Sequence, residues 1–121
     1  MIYGIGTDIE RIERIEPLMV NRNILERFFG EAERAEIGDT PKANSITGAF
    51  CAKEAFAKSL GTGVRGFSLS EVNILHDLSG RPYILLTGRA KEIADRLDLA
   101  FHLTISHTDE YATAVVVAEK K

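Results

Sequence analysis

The sequence has one cysteine, Cys51, no tryptophan and only three prolines among 121 residues. A single cysteine excludes an internal disulfide and a thiolate metal cluster, and its apolar neighbours predict a small buried side chain, not a nucleophile. No apolar run is long enough to cross a membrane and no signal-peptide pattern opens the chain, so we expect a cytoplasmic protein with no membrane role. A net charge of −3 argues against a nucleic-acid partner, because such binding depends on clustered positive charge.

What remains is the composition of a folded domain, with 45% hydrophobic and 27% charged residues. We expect one domain over residues 1–121, because no repeat, low-complexity tract or linker interrupts the chain. The order of strands and helices predicts an α+β fold, in which an antiparallel sheet packs against a long central helix. The expected elements are a strand at Met1–Ile9, helices at 9–19 and 23–37 with breaks at Pro17 and Gly30, the central helix, a hairpin at 71–87, a helix at 88–98, and strands at 101–105 and 111–118 around a turn at 106–110.

The central helix is predicted from Ala49 to Leu60, where helix-forming residues are frequent and neither proline nor glycine occurs. It ends at Gly61-Thr62-Gly63, a C-terminal glycine signal followed by a flexible turn. Either Asn44 or Ser45 can cap its start. At about 100° per residue, its apolar side chains cover nearly the whole circumference, so we expect the helix to be buried on most sides.

Three charged residues of this helix, Lys53, Glu54 and Lys58, need a partner or water, because unpaired charge in apolar surroundings is costly. They fall within roughly 140° of arc, and Glu54 and Lys58 lie one turn apart. One interpretation is an ion pair between Glu54 and Lys58 on a solvated strip. The other is a metal-binding carboxylate beside a phosphate-binding lysine, and Lys53 suits either an ion pair or a substrate contact.

The first strand presents Gly4, Gly6, Asp8 and Glu10 on one face. Glycines in a strand usually mark the close approach of another backbone or of a ligand. The two glycines can therefore serve helix packing, with Asp8 capping the next helix, or they can leave a carboxylate accessible beside a ligand. Both interpretations can hold at once.

Asp8 and Glu54 have no accompanying cluster of cysteine and histidine, and such a pair suits a hard, oxygen-seeking cation. Magnesium commonly takes one or two protein carboxylates and completes its coordination with water and phosphate oxygens. Lys58 and His107 would supply positive charge or donors to the same phosphates. The Gly61–Gly63 turn is not a P-loop, because it lacks the Walker sequence and follows its helix instead of opening one.

Four segments of the chain resemble the holo-acyl-carrier-protein synthases, the small 4'-phosphopantetheinyl transferases of fatty-acid synthesis. These segments are GIGTDIERIERI at 4–15, FCAKEAFAKSLGTG at 50–63, SGRPYI at 79–84 and TISHTDEYATAVVV at 104–117. They occur in the family's order, and the K-E-A-x-x-K-x-x-G-T-G block is the most specific of them. The resemblance implies a Mg²⁺-dependent enzyme that transfers 4'-phosphopantetheine from coenzyme A to a serine of apo-acyl carrier protein and releases 3',5'-ADP.

The resemblance also implies roles for individual residues. Asp8 and Glu54 match the two protein ligands of Mg²⁺, and Lys58, catalytic together with them, matches a lysine that contacts the coenzyme A phosphates. Three segments would border coenzyme A: Gly61 to Gly63 along the cleft, Gly80, Arg81 and Pro82 at the adenine, and Ser106, His107 and Thr108 at the phosphates. Arg14 matches a basic residue that engages the acidic carrier protein, and Arg11 is a second candidate. The family is typically a homotrimer with active sites between neighbouring subunits.

Two positions depart from the family pattern. Ala49 stands where the family commonly has arginine, which implies weaker coenzyme A binding or recruitment of another cation, for which Arg65 is a candidate. Asp109 stands where a basic residue often follows the S/T-H-T/S triplet, and it adds negative charge near the phosphate segment. Two other functions therefore stay open: a non-catalytic nucleotide-binding scaffold, and a Mg²⁺-dependent phosphohydrolase that uses water in place of the carrier serine.

Overall fold

The computed structural model covers residues 1–121 and describes all of them except the side chain of Met19. The strands are β1 (Ile2–Arg11), β2 (Val72–His76), β3 (Pro82–Leu86), β4 (Leu99–His107) and β5 (Tyr111–Lys120). The helices are α1 (Ile12–Ile15), α2 (Arg22–Phe28), α3 (Glu31–Ile37), α4 (Ala43–Ser59) and α5 (Gly88–Leu97), with 3-10 turns at Glu16–Val20 and Leu69–Glu71. The predicted α+β class is confirmed.

The strands form two antiparallel sheets. One has three strands in the order β1-β5-β4, and the other is the β2–β3 hairpin. The most apolar strand, β5, lies in the centre of the larger sheet, where Ala112, Ala114, Val116 and Ala118 are buried. Every second residue of β5 is buried because a strand has a two-residue period, which turns alternate side chains toward the core.

Helix α4 packs against the larger sheet and also contacts β2. Eleven of its seventeen residues are buried, as its nearly continuous apolar circumference predicts. Small side chains such as Ala52 and Ala55 let neighbouring backbones come close, while Phe56 packs edge-on to Phe67 and tilted against Phe101, with ring centroids 5.6 and 4.7 Å away. Among the described residues, none of the helices combines the length and the hydropathy needed to span a bilayer.

Two of the predicted helix starts are wrong. β1 continues to Arg11 because its last residues pair with β5, so the helix predicted over 9–19 is reduced to α1 and the 3-10 turn that contains Pro17. Helix α4 begins at Ala43, and neither Asn44 nor Ser45 caps it, because both lie inside its first turn. The N-cap position belongs to Lys42, which makes no side-chain bond to the helix.

The turn predicted at residues 106–110 is shorter than expected. Ser106 and His107 belong to β4, because they pair with Thr113 and Ala112 of β5. The connection between the two strands is therefore residues 108–110. Thr108 closes it by donating its N–H to the backbone oxygen of Tyr111 at 2.8 Å.

Candidate active site

The two glycines of β1 bring this strand into direct contact with the backbone of α4. A Cβ atom built on Gly4 would lie 2.0 Å from the carbonyl oxygen of Ser59, and one on Gly6 would lie 1.9 Å from that of Ala55. Only glycine permits this approach, so the helix-packing interpretation is confirmed. Asp8 lies two residues after Gly6 on the same face of β1, and it is therefore held beside α4.

Asp8 pairs with Lys58 and does not cap a helix. Helix α1 has Arg11 at its N-cap position and no side-chain cap. The ammonium of Lys58 donates to Oδ1 of Asp8 at 3.3 Å and to the backbone oxygen of Thr7 at 3.0 Å. Among the described side chains, Lys58 thus forms its ion pair across to β1 and not with Glu54 on its own helix.

The second carboxylate oxygen of Asp8, Oδ2, is buried and accepts no hydrogen bond from any group that the structure describes. The Asp8 side chain is only 13% exposed, whereas that of Lys58 is 55% exposed. Leaving a buried carboxylate oxygen without a donor is costly, and its ordinary partner is a cation or a water molecule. This oxygen therefore has the properties of a metal ligand.

Glu54 adds a second carboxylate at the same place. Partial burial raises its pKa, and the nearby negative charges of Asp8 and Glu10 raise it further, while Lys58 acts in the opposite direction. Negative charges that raise the pKa of a neighbouring carboxyl group favour a bound cation, because the cation offsets the repulsion. We call Asp8, Glu54 and Lys58 the carboxylate site. Glu10 was not among the predicted site residues, although its position on the Asp8 face of β1 was the available signal.

Cys51 lies behind this site and behaves as predicted. Burial raises the pKa of its thiol to about 12, with further contributions from the charges of Asp8 and Glu10. The thiol is fully buried and donates to the backbone oxygen of Ala112 at 3.3 Å. A protonated, inaccessible thiol is neither a nucleophile nor a metal ligand.

The donor set at the carboxylate site consists of oxygen atoms. The described residues contain no ready-made group of three or more His, Cys, Asp or Glu side chains that could hold a metal. Structural zinc sites use such preformed nitrogen and sulfur ligands, whereas magnesium is commonly held by one or two carboxylates with water and substrate oxygens. The residues present therefore fit Mg²⁺, and the ligand roles of Asp8 and Glu54 stay a prediction.

The turn after α4 begins three residues beyond Lys58. Gly61 and Gly63 have φ of +80° and +67°, and a Cβ atom on either would meet nothing within 4 Å. The N–H of Gly61 donates to the backbone oxygen of Lys58 at 3.0 Å. The turn is thus exposed and free of bulky side chains at these two positions, on the same end of α4 as the lysine.

The turn between β2 and β3 is held by Asp77. Its Oδ1 accepts hydrogen bonds from the hydroxyl and N–H of Ser79, at 2.7 and 2.9 Å, and from the N–H of Arg81 at 2.9 Å. These bonds, the Ser79 hydroxyl first, lower the pKa of Asp77. Gly80 has φ +88°, the side chain of Arg81 is exposed, and Pro82 begins β3. No described hydrogen bond or ion pair joins this turn to the carboxylate site.

His107 shares a face of the larger sheet with the carboxylates. It pairs with Ala112, which in turn pairs with Glu10. Directly opposed side chains of antiparallel strands lie on the same face, so His107 is on the α4 side of the sheet together with Asp8 and Glu10. Two interstrand spacings place the Cα atoms of His107 and Glu10 about 10 Å apart.

The neighbours of His107 in the predicted phosphate segment lie differently. Ser106 pairs with Thr113 and therefore faces the opposite side of the sheet. Thr108 uses its hydroxyl oxygen to accept the N–H groups of Glu110 and Tyr111, at 3.3 and 3.1 Å, and so shapes the turn.

The two predicted partner-binding arginines lie at and just after the end of β1. Arg11 is held in place: it donates to the hydroxyl of Tyr111 at 3.2 Å and to Glu13 at 3.4 Å, and its guanidinium lies 5.6 Å from the Tyr111 ring centroid. Arg14, on α1, is exposed. Both are accessible to an acidic partner.

Lys53 is a buried ion-pair residue and not a substrate contact. It is fully buried and pairs with Glu33 of α3. The role of Glu33 was missed because its only local signal, a capping-box spacing after Gly30, predicts a helix start and not a buried partner.

Two concave surfaces, of about 510 and 340 Å³, lie away from the carboxylate site. The larger is lined mainly by α2, α3 and the residues after them. The smaller lies beside the first half of α4, where Ala49 is one of the lining residues and Lys42 and His76 are the basic ones. Neither cavity is lined by a residue of the carboxylate site.

Comparison with known proteins agrees with the resemblance. The sequence profile of the 4'-phosphopantetheinyl transferase superfamily matches residues 4–116. A holo-[acyl-carrier-protein] synthase of Caldanaerobacter subterraneus subsp. tengcongensis is 42% identical over 119 residues, which cover 94% of this chain and 92% of the relative. One of Clostridium perfringens is 40% identical over 126 residues, with coverage of 98% and 95%.

Solved structures give the same result. The holo-[acyl-carrier-protein] synthase of Neisseria meningitidis superimposes with a TM-score of 0.90 at 34% identity and covers 99% of this chain and 100% of its own. That of Bacillus anthracis, solved in complex with coenzyme A (3',5'-ADP), has a TM-score of 0.81 at 32% identity, with coverage of 100% and 99%. The chain therefore belongs to the 4'-phosphopantetheinyl transferase superfamily, as an enzyme of its holo-[acyl-carrier-protein] synthase group.

Proposed function

We propose that this enzyme transfers 4'-phosphopantetheine from coenzyme A to a serine of apo-acyl carrier protein, in a Mg²⁺-dependent reaction of fatty-acid biosynthesis that releases 3',5'-ADP. The observation that carries the proposal is the Asp8 carboxylate, which has one buried oxygen without a donor and the other beside Lys58. A scaffold needs no such arrangement. In an enzyme of this family it provides a cation site next to a phosphate-binding lysine.

In this reaction the serine hydroxyl attacks the β-phosphorus of coenzyme A. A bond forms between the serine oxygen and that phosphorus, and the bond from the phosphorus to the bridging oxygen breaks. The leaving 3',5'-ADP keeps the bridging oxygen, and the serine proton passes to water. Asp8 and Glu54 would hold Mg²⁺, which neutralises the charge on the pyrophosphate. Lys58 would donate to a phosphate oxygen and stabilise the leaving group.

The remaining predicted contacts border coenzyme A in this proposal. Gly61 and Gly63 leave space along the cleft, and the rigid Gly80 to Pro82 turn borders the adenine. Ser106, His107 and Thr108 border the phosphates. The exposed guanidinium groups of Arg14 and Arg11 would engage the acidic carrier protein, where opposite charge steers the encounter.

We further propose that the enzyme is a homotrimer with active sites between subunits. On the face of β1 away from α4, Ile5 and Ile9 are 61% and 63% exposed. Exposed apolar side chains on a sheet face commonly mark a protein interface. The separation of the Gly80 turn from the carboxylate site supports an active site that a neighbouring copy completes. We place this single-domain enzyme in the cytoplasm, together with its substrates.

A mass measurement tests the proposed reaction. The protein is incubated with coenzyme A, Mg²⁺ and apo-acyl carrier protein, and the carrier is then weighed. We expect a mass gain of one phosphopantetheine group that disappears with EDTA and in the Glu54→Gln variant. Formation of 3',5'-ADP without a change in the carrier would identify a phosphohydrolase, and absence of both products would leave a nucleotide-binding scaffold.

A further inference from the structure

Lys58 has two acceptors in this conformation, the carboxylate of Asp8 and the backbone oxygen of Thr7. The proposed function gives this lysine a different task, because it must donate to a phosphate of the substrate. The proposed function also gives Asp8 a different partner, a divalent cation. A divalent cation on Oδ2 would weaken the hold of the Lys58 ammonium on Oδ1, since the two positive charges repel each other and share one carboxylate.

We propose that Lys58 and the divalent cation compete for Asp8, so that binding of the cation releases the Lys58 ammonium toward a phosphate group. This inference rests on the proposed function, because it takes Asp8 and Glu54 as the cation ligands. It adds that cation binding and phosphate binding support each other through a single side chain.

The ion pair between Lys58 and Asp8 is easily broken. The lysine side chain is 55% exposed and its bond to Oδ1 is 3.3 Å long, so the interaction is solvent-screened and weak. A divalent cation has twice the charge, and it would also engage the buried Oδ2 atom that has no donor and the nearby Glu54. In the competition for Asp8, the divalent cation therefore prevails.

The side chain can move without disturbing the fold. Lys58 has a flexible four-carbon stem, and its backbone is fixed in the last turn of α4. The exposed Gly61–Gly63 turn follows directly, with no side chain at Gly61 or Gly63 to obstruct an anion. After release, the ammonium loses its carboxylate partner and keeps one neutral acceptor, so a phosphate becomes its favoured partner.

The expected consequence is positive coupling between the two ligands. Typical couplings between binding sites change an affinity by about 5- to 150-fold, and reciprocity requires the same factor for both ligands. Because one weak ion pair carries this coupling, we expect a factor near the lower end, about 5- to 20-fold.

Mn²⁺ binding to the full-length protein, measured by electron paramagnetic resonance, tests the competition. We expect Lys58→Met to bind Mn²⁺ about 5-fold more tightly than the wild type in the absence of nucleotide. The matched control is Lys91→Met, which removes the same charge from an exposed pair with Asp95 on α5 and should leave Mn²⁺ affinity unchanged. Equal or weaker Mn²⁺ binding by Lys58→Met overturns the proposal.

The same titration with 3',5'-ADP separates release of the lysine from mere removal of a charge. We expect 3',5'-ADP to tighten Mn²⁺ binding about 5- to 20-fold more in the wild type than in Lys58→Met, because phosphate oxygens that ligate the ion directly act in both proteins. Equal tightening in both proteins contradicts the inference even if Lys58→Met binds Mn²⁺ more tightly. Glu54→Gln identifies a failure of the underlying function: if it binds Mn²⁺ as well as the wild type, the carboxylates are not the cation site, and both proposals fall.

Discussion

Lys53 and Glu33 form an ion pair in which neither side chain reaches solvent. The ammonium also donates to the backbone oxygens of Leu69 and Val72, at 3.1 and 2.5 Å. Burial lowers the pKa of Lys53 to about 8 and raises that of Glu33, although each charge partly offsets the shift of the other. The pair joins α3, α4 and the start of β2, and so fixes the helix that carries Glu54.

We expect Lys53→Met to lower the free energy of unfolding by about 3–5 kcal/mol, because it leaves a buried carboxylate without its cation. The double variant Lys53→Met with Glu33→Gln removes the unpaired charge and should recover part of the loss. It should not recover all of it, because Oε1 and Oε2 of Glu33 each accept a backbone N–H and an amide keeps only one accepting oxygen. Urea unfolding measures both. Lys91→Met, in an exposed pair, should change stability by less than about 1 kcal/mol. If Lys53→Met is as stable as the wild type, the ion pair between Lys53 and Glu33 does not stabilise the fold.

This ion pair lay beyond sequence reasoning, whereas the carboxylate site did not. Asp8 follows two strand glycines, for which close helix packing was one of two interpretations open from the sequence, and the burial of α4 was predicted from its apolar circumference. Glu33 lies twenty residues before Lys53, and only the tertiary fold, in which α3 and α4 both contact β2, brings them together. The same limit applies to Lys58: its local partner at i−4 was apparent in the sequence, but the structure gives it a partner fifty residues away.

Fold predictions failed where long-range pairing overrode local pattern. Residues 9–11 begin a segment with a helical spacing of apolar side chains, yet they extend β1 because they pair with residues 111–113 of β5. His107 follows the sequence pattern of a turn, yet it pairs within β4 for the same reason. Backbone hydrogen bonds to a distant strand cannot be read from a short window of sequence.

Gly6→Ala tests the contact that positions Asp8. The new Cβ atom would meet the carbonyl oxygen of Ala55 at 1.9 Å, so we expect a loss of about 3 kcal/mol or an unfolded chain. Gly38→Ala is the control, because its φ of +70° and ψ of −153° add backbone strain of about 1–3 kcal/mol while its Cβ atom meets nothing within 4 Å. Thermal unfolding compares the two. A milder effect at Gly6 than at Gly38 would show that β1 can move away from α4.

Asp77→Ala should remove the acid-dependent part of the stability that the β2–β3 turn contributes. The pKa of Asp77 is lower in the folded state than in the unfolded chain, where it is about 3.8. Asp77 therefore contributes to the free energy of unfolding above about pH 3.8, and this contribution is lost as the pH falls through the pKa of the folded state. We therefore expect a lower Tm than the wild type at pH 7, a constant difference down to about pH 4, and a shrinking difference below it. Ser79→Ala, which removes the strongest of these bonds, should show the same trend with smaller amplitude. A difference that grows on acidification would refute this sign.

Glu54→Gln should increase stability in metal-free buffer while removing transfer activity. Partial burial of the charge and repulsion from Asp8 and Glu10 raise the pKa of Glu54. The neutral amide removes both costs, and we expect a Tm increase of about 1–3 °C. Millimolar Mg²⁺ should raise the Tm of the wild type and not that of the variant, because only the wild type gains a bound ion. Glu92→Gln on α5 makes the same change of charge away from the site and should behave as the wild type. A variant less stable than the wild type in EDTA would mean that Glu54 serves the fold.

Mixed oligomers of two impaired variants test whether neighbouring subunits complete each active site. Asp8→Asn removes a proposed metal ligand, and Arg81→Ala removes a proposed adenine contact in the Gly80 to Pro82 turn, so each variant alone should have little activity. In a trimer assembled at random from equal amounts, a site that takes the two residues from different subunits has both intact about one time in four. Co-expressed subunits should therefore recover about a quarter of wild-type activity in the carrier mass assay. Asp8→Asn mixed with Glu54→Gln is the control, because both residues come from one chain in this arrangement and no combination restores them. Absence of recovery in the first mixture, with trimers present in solution, would place Asp8 and Arg81 of the same subunit in one site.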